Sequence, residues 1–266
     1  MALPPPTPTS TCLVTGASSG IGADMARELA RRGQNLTLSA RREDKLEELA
    51  AELRADHDVR VDVIACDVSD SDSRAALTAA IAENGLDVEV LVNNAGYGSG
   101  GPFHELDGDA EVAMVKTNCE AVIAFCTEYV PQMVARGRGA ILNVGSTAGY
   151  QPLPWQATYS ATKAFVNSFS DALYSELGGT GVTVTSLRPG PVQTEFGEAS
   201  GMEDEFAMLP GFLIDSSEDV ARAGIDGLDR GKRAVGPGIV GRVLPSGQYA
   251  PRGPLLKVLR RFYPVK

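Results

Sequence analysis

Short apolar runs and longer mixed runs alternate along this chain from residue 11 to about residue 190. The apolar runs fall at 11–15, 35–39, 60–65, 88–93, 140–145 and 183–187, each of strand length and rich in Val, Ile, Leu and Thr. Several of them, such as "EVLVN" and "TVTSL", are apolar on both alternating faces, which suits strands buried between two layers. Helical spacing fills the intervals at 21–32, 42–56, 69–83, 109–136 and 158–177. In "REDKLEELAAELRA" the leucines recur on one helix face while opposite charges stand four apart. Repeated strand–helix units predict an α/β single-domain fold, a doubly wound parallel sheet of about seven strands with helices on both faces. The pattern predicts an N-terminal Pro/Thr tail at 1–10 without order, one domain over 11–250 with a lid near 195–215, and a basic amphipathic segment at 251–266.

At 266 residues with 43% hydrophobic content, the chain can bury a sizeable core. Its net charge of −10 argues against nucleic acid as a partner. Cys12, Cys66, Cys119 and Cys126 form no Cys-x-x-Cys pair and only His57 and His104 could assist them, so no metal site is expected. Reduced cysteines, a start without the features of a secretory signal and apolar runs too short for a span predict a cytoplasmic protein.

The first strand leads into "TGASSGIG". Gly16, Gly20 and Gly22 allow a tight turn and close approach to a pyrophosphate, with Ser18, Ser19 and the start of the next helix at Ile21 around it. A dinucleotide site often carries an acid at the end of the second strand; here "LTLSARRED" places Arg41 there. A guanidinium grips a 2′-phosphate that a carboxylate would repel, so NADP(H) is expected in preference to NAD(H).

Further along, "QATYSATKAF" sets Tyr159 and Lys163 four residues apart on one helix face, and Ser146 precedes Tyr159 by thirteen residues. Together with "TGASSGIG" and the "NNAG" of Asn93–Gly96, these residues resemble the short-chain dehydrogenase/reductase family over about residues 11–200. The resemblance implies a catalytic set of Asn118, Ser146, Tyr159 and Lys163, with Asn118 keeping a proton path open to Lys163. It implies cofactor contacts from Asp67 and Val68 at the adenine and from Asn94, Ala95 and Gly96. Tyr159 and Lys163 would themselves touch the cofactor, Lys163 through its ribose. In "RPGPVQTEF", Pro189, Gly190, Val192 and Thr194 would hold the nicotinamide end. Asn93 and Asn94 would act first as scaffold. The activity implied is hydride transfer between nicotinamide and a ketone or secondary alcohol. Tyr159 would be the acid–base group, its pKa lowered by Lys163 and the oxidised ring.

Loops after the strands offer Tyr97, Tyr150, Trp155, Phe196, Phe206 and Phe212 as substrate lining. The stretch 195–214 contains no Lys or Arg, which favours a small apolar carbonyl, including a long-chain 3-oxo lipid, over an anion. Reduction of 3-oxoacyl thioesters on carrier protein or CoA is the nearest alternative; an NADPH-sensing regulatory protein without catalysis is one of another class. The ending "LLKVLRRFYPVK" suits either packing on its own subunit or peripheral contact with a lipid surface. By resemblance, the Tyr159 helix would pair across a two-fold in a homodimer or homotetramer.

Overall fold

The computed structural model describes residues 3–200, 210–245 and 251–262, with the backbone alone at 198–199 and 258–262. Six strands and six helices alternate: β1 (Ser10–Thr15), α1 (Gly20–Arg31), β2 (Leu36–Ser39), α2 (Glu43–Asp56), β3 (Val61–Val63), α3 (Ser71–Glu83), β4 (Asp87–Asn93), α4 (Gly108–Val115), α5 (Ala121–Arg136), β5 (Gly139–Val144), α6 (Ala157–Glu176) and β6 (Val182–Leu187), with α4 and α5 sharing one interval. Then come β7 (Val192–Gln193), α7 (Phe196–Ala199), β8 (Asp215–Ser216), α8 (Ser217–Asp229), β9 (Ala234–Val235), α9 (Gly238–Val243) and α10 (Arg252–Phe262). Seven strands form one sheet in the order β3-β2-β1-β4-β5-β6-β9, all pairs parallel, while β7 and β8 pair separately. The doubly wound sheet expected from the sequence is the fold observed. The order reverses between β1 and β4, and that switch point opens a crevice at the carboxyl ends of the strands.

The two-residue period of the strands divides the core. Cys12, Val14, Val90, Val92 and Leu142 face Met25, Leu29, Leu46, Leu53 and Ile225 on one side. Leu13, Leu91, Ile141 and Val184 face Leu77, Phe125, Met133 and Val166 on the other. Each fully buried leucine contributes about 1.5–3 kcal/mol, so both helical layers are strongly anchored to the strand ends.

Three elements differ from the sequence expectation. Residues 3–10 are tied down: Gln34 Nε2 donates to the Pro4 carbonyl at 3.0 Å, the Thr7 amide donates to Ser10 Oγ at 2.7 Å, and Leu3 packs against the core. The strand expected at 60–65 is regular only at Val61–Val63. Its ladder to β2 continues irregularly, with the Cys66 amide donating to the Ala40 carbonyl at 3.0 Å. The helix expected over 109–136 is broken by a π-helical turn at Lys116–Glu120, which inserts an extra residue and carries Asn118 into the interior.

Candidate active site

The β1–α1 turn is built for close approach. Gly16 and Gly20 adopt φ of +67° and +53°, the left-handed region that favours glycine. At Gly22 a Cβ would stand 2.3 Å from the Gly16 carbonyl oxygen and 2.4 Å from Asn94 Nδ2, so α1 begins flush against the turn. A Cβ on Gly20 would stand 3.1 Å from the Thr194 methyl, which places the segment after β7 against the same turn. Ser19 makes no side-chain cap bond and the first turn of α1 has no acidic residue; its amides and positive end are therefore suited to an anion. Asn94 braces the turn, its amide donating to the carbonyls of Thr15 and Gly16 at 2.9 and 3.1 Å. Thr15, which the sequence reading did not single out, accepts from the amides of Asn94 and Ala95, both at 3.1 Å. Asn93 donates to Asn143 Oδ1 at 2.8 Å between strands, a scaffold bond as expected. These residues fit a dinucleotide.

Tyr159 and Lys163 share a buried face of α6, with the Lys163 Nζ 5.8 Å from the phenol ring centroid. Nζ donates to the Val144 carbonyl at 2.8 Å. Ser146, just after β5, accepts from the Ala148 amide at 3.0 Å and contacts the Pro189 carbonyl only at 3.4 Å. Its hydroxyl stands close enough to Tyr159 to favour the ionised phenol. Asn118 accepts from the Tyr97 amide at 3.2 Å and donates to the Tyr97 carbonyl at 2.9 Å and to Thr162 Oγ1 at 3.0 Å. A Cβ on Gly96 would fall 3.0 Å from Asn118 Oδ1 and 3.6 Å from Lys163 Nζ, so the Gly96 backbone lies close to both groups. All four residues of the expected catalytic set therefore converge.

Burial dominates the electrostatics of this pair. Burial pushes the Tyr159 phenol up to about 12, opposed by the Ser146 hydrogen bond, and pushes Lys163 down to about 8. In the protein alone desolvation governs both groups. At neutral pH the pair is a protonated phenol beside an ammonium, poised to give a proton.

At the outer end of the crevice Arg41 is exposed. Asp67 is held below the usual carboxylate range by its bonds from Ser69 and, to a lesser degree, by the charge of Arg41. Val68 is buried and its carbonyl accepts from Arg74 at 2.7 Å. Arg42, which the sequence reading assigned no role, reaches the glycine turn. Its Nη2 donates to Ser18 Oγ at 3.2 Å, Ser19 Oγ at 2.8 Å and Glu195 Oε2 at 3.0 Å.

The expected substrate-lining residues separate. Phe196 leans on Tyr159, ring centroids 5.4 Å apart at 51°, and the Gly98 backbone lies so close that a Cβ there would stand 2.7 Å from Phe196. Trp155 enters α6 at φ +66°, a strained conformation for an indole side chain, with its carbonyl accepting from the Gly101 amide at 2.9 Å. Tyr150 instead packs beneath Arg188, the guanidinium 5.5 Å from its ring. Tyr97 donates its hydroxyl to the Ala110 carbonyl at 3.2 Å, near Arg41, Glu111 and Asp67, and so faces the outer end of the crevice. Phe212 is 71% exposed. Phe206 lies outside the described residues.

A family model for short chain dehydrogenase matches residues 10–205. This chain belongs to the short-chain dehydrogenase family. The NAD(P)-dependent oxidoreductase class expected from the sequence stands with it. It is 37% identical over 187 residues to a very-long-chain 3-oxoacyl-CoA reductase of Bos taurus, a match spanning 69% of this chain and 59% of the bovine protein. It is 40% identical over 190 residues to a sulfoacetaldehyde reductase of Chromohalobacter salexigens, over 71% of this chain and 74% of that protein. A short-chain dehydrogenase from Sphingobium yanoikuyae in complex with NADPH superposes with a TM-score of 0.82 at 31% identity, covering 93% of this chain and 95% of the other. Among the described residues no helix is long and apolar enough to cross a membrane, and no His/Cys/Asp/Glu group could hold a metal ion.

Proposed function

We propose that this protein is an NADPH-dependent carbonyl reductase that converts an apolar ketone to a secondary alcohol. The observation that carries the reading is the meeting of Tyr159 and Lys163, on one buried face of α6, with Ser146 just after β5, beside the Asn94–Gly96 segment that braces the glycine turn. NADPH, when bound, supplies the hydride. Tyr159 gives its phenolic proton to the carbonyl oxygen as that oxygen turns into an alkoxide. Ser146 donates a hydrogen bond to the same oxygen; its long contact with Pro189 leaves its proton available. The Lys163 ammonium stabilises the tyrosinate left behind, and its two N–H groups not bonded to the chain suit ribose hydroxyls. Asn118 holds the turn at Gly96 and Tyr97 beside that ammonium.

Arg41 and Arg42 support NADPH over NADH, since two guanidinium groups at the rim complement a 2′-phosphate. Gly16, Ser18, Ser19, Ile21 and Thr194 would hold the phosphates and Asp67 and Val68 the adenine. Ala95, Gly96, Pro189, Gly190 and Val192 would line the path to the nicotinamide.

The aromatic cover that Phe196 lays over Tyr159 supports an apolar substrate, and the segment 195–214 offers no cation to an anionic one. The similarity to the bovine reductase supports a 3-oxoacyl thioester as the second reading. The intact Tyr159–Lys163 pair weighs against a purely regulatory role. The apolar residues Val112, Val115 and Ile123, exposed along α4 and α5, suit a homo-oligomer.

A carbonyl panel read by NADPH absorbance tests all of this. Bulky or long-chain ketones should turn over faster than sulfoacetaldehyde and small anionic aldehydes. A preference for the small anions would overturn the substrate class, and no turnover on any carbonyl would overturn the enzymatic reading.

A further inference from the structure

The stripe that carries Tyr159 and Lys163 continues one turn further, to Asn167. Asn167 is 6% exposed and lies behind the catalytic pair. Its Nδ2 donates to the main-chain carbonyl of Ser146 at 2.9 Å. Its own main-chain carbonyl accepts from Arg188 Nη2 at 3.2 Å, and Arg188 is anchored by Ser186, Asp171 and Tyr150. Oδ1 is buried and, among the described residues, finds no partner. A buried acceptor left unsatisfied costs about 1–3 kcal/mol, so this amide is held where stability alone would favour an apolar side chain.

Two glycines on either side of Ser146, Gly145 and Gly149, make room for it. A Cβ on Gly145 would stand 2.0 Å from Asn167 Oδ1, and a Cβ on Gly149 would stand 2.5 Å from Nδ2. The carbonyl of Ser146 is an acceptor, so it sets which way the amide turns: Nδ2 toward it and Oδ1 away. Ser146 itself caps the short turn Thr147–Tyr150 with an extended backbone, φ −170° and ψ 158°. Its hydroxyl direction therefore depends on what fixes that peptide. On one side the Thr147 amide donates to the Pro189 carbonyl at 2.9 Å; on the other Asn167 grips the Ser146 carbonyl.

We infer that Asn167 is a positioning residue for the reaction: it aims the Ser146 hydroxyl at the Tyr159 oxygen from α6, the helix that also presents Tyr159. One helix thus sets the acid, its electrostatic support and the orientation of the oxyanion donor in a single register. The inference rests on the catalytic roles proposed above for Tyr159 and Ser146.

The test is a double-mutant cycle in the full chain, using the best ketone from the panel. Asn167→Leu keeps the branched outline in a larger, apolar side chain and removes the donor; Asn167→Asp keeps the shape and, when ionised, removes the donor. Both should lower kcat about 10- to 100-fold, as a misplacement on the order of 1 Å does, while NADPH binding followed by fluorescence and KM for the ketone stay within about threefold. In a Ser146→Ala background the same substitutions should cost less than about threefold more, because the group they aim is gone. A role in packing alone would give losses that add in both backgrounds, and that result overturns the inference. So does wild-type kcat in either variant while Tyr159→Phe is inactive. Full turnover by Tyr159→Phe would instead overturn the catalytic reading itself. Should Asn167→Leu fail to bind NADPH, Asn167→Asp decides alone.

Discussion

The two ends of the crevice obey different electrostatics. At the inner end Tyr159, Lys163, Ser146 and Asn118 are all buried, and each polar atom has few, specific partners. At the outer end the Arg42 and Glu195 side chains, paired at 3.0 Å, are 47% and 60% exposed. Water is scarce at the first site, so desolvation dominates and the phenol and the ammonium are both pushed toward neutrality. Water screens the second, where an ion pair is worth about 0–1 kcal/mol and can be exchanged for another at little cost. A reaction needs groups whose proton affinities are far from ordinary; recognition of a mobile phosphate needs charges that can trade partners. The molecule places each where its surroundings supply it.

The sharpest way to break this contrast is at the phenol. Tyr159→Phe removes the proton donor and keeps the ring against Phe196. Turnover should fall about 10³-fold or more, with NADPH affinity little changed by fluorescence titration. Comparable turnover in the variant would mean that the buried end is not where the chemistry lies.

Lys163 gives the next largest effect, with opposite signs on activity and stability. Its folded pKa, about 8, lies below the ordinary lysine value of 10.5, so the unfolded chain binds more protons between those limits. Wild-type stability therefore rises as pH climbs through that window, and at neutral pH the buried ammonium costs up to about 3 kcal/mol. Lys163→Met should raise Tm at pH 7, lose that advantage as pH passes 10.5, and reduce turnover at every pH. In the wild type, ketone reduction should decline above about pH 8 as the ammonium is lost. A reductive pH profile flat beyond that point would remove Lys163 from the mechanism.

What could be read from the sequence divides along the same lines. Tyr159 and Lys163 are neighbours on one helix, and the glycines of the β1–α1 turn lie close together in sequence, so local spacing fixes both. Asn118 was legible as a residue, but the π-helical turn that brings it inward depends on its bonds to Tyr97, twenty-one residues away in sequence. The Arg42–Glu195 pair joins positions 153 residues apart, and no periodicity encodes that. Tyr97 and Tyr150 are aromatic loop residues like Phe196, yet a main-chain carbonyl and a guanidinium draw them elsewhere. The strength of desolvation was not legible for a related reason: burial is a property of the assembled fold, and helix spacing alone conveys the partner but not the dryness.

At the rim, Arg41→Asp should sharpen the comparison. A carboxylate near the site proposed for the 2′-phosphate repels it and can accept from a ribose hydroxyl. The ratio of kcat/KM for NADPH over NADH should fall about tenfold or more, equivalent to about 1.4 kcal/mol. An unaltered ratio would leave Arg42 alone as the phosphate-binding cation.

The smallest effect is expected at Glu195, and it reports most directly on the screened pair. Glu195 is held below the usual carboxylate range by the Arg42 bond first and the Ser19 bond second, so it is ionised at neutral pH and competes with any incoming phosphate for the same guanidinium. Glu195→Gln removes the competing charge and keeps the side chain's size. NADPH should then bind more tightly by up to about fivefold, the equivalent of about 1 kcal/mol for an exposed pair. NADH, which lacks the 2′-phosphate, should be unaffected, and the gain should shrink as salt rises because both the lost pair and the new one are solvent-exposed. Equal tightening for both cofactors would assign the effect to the loop after β7 rather than to Arg42, and a gain that persists in high salt would mean that the outer end is as dry as the inner one.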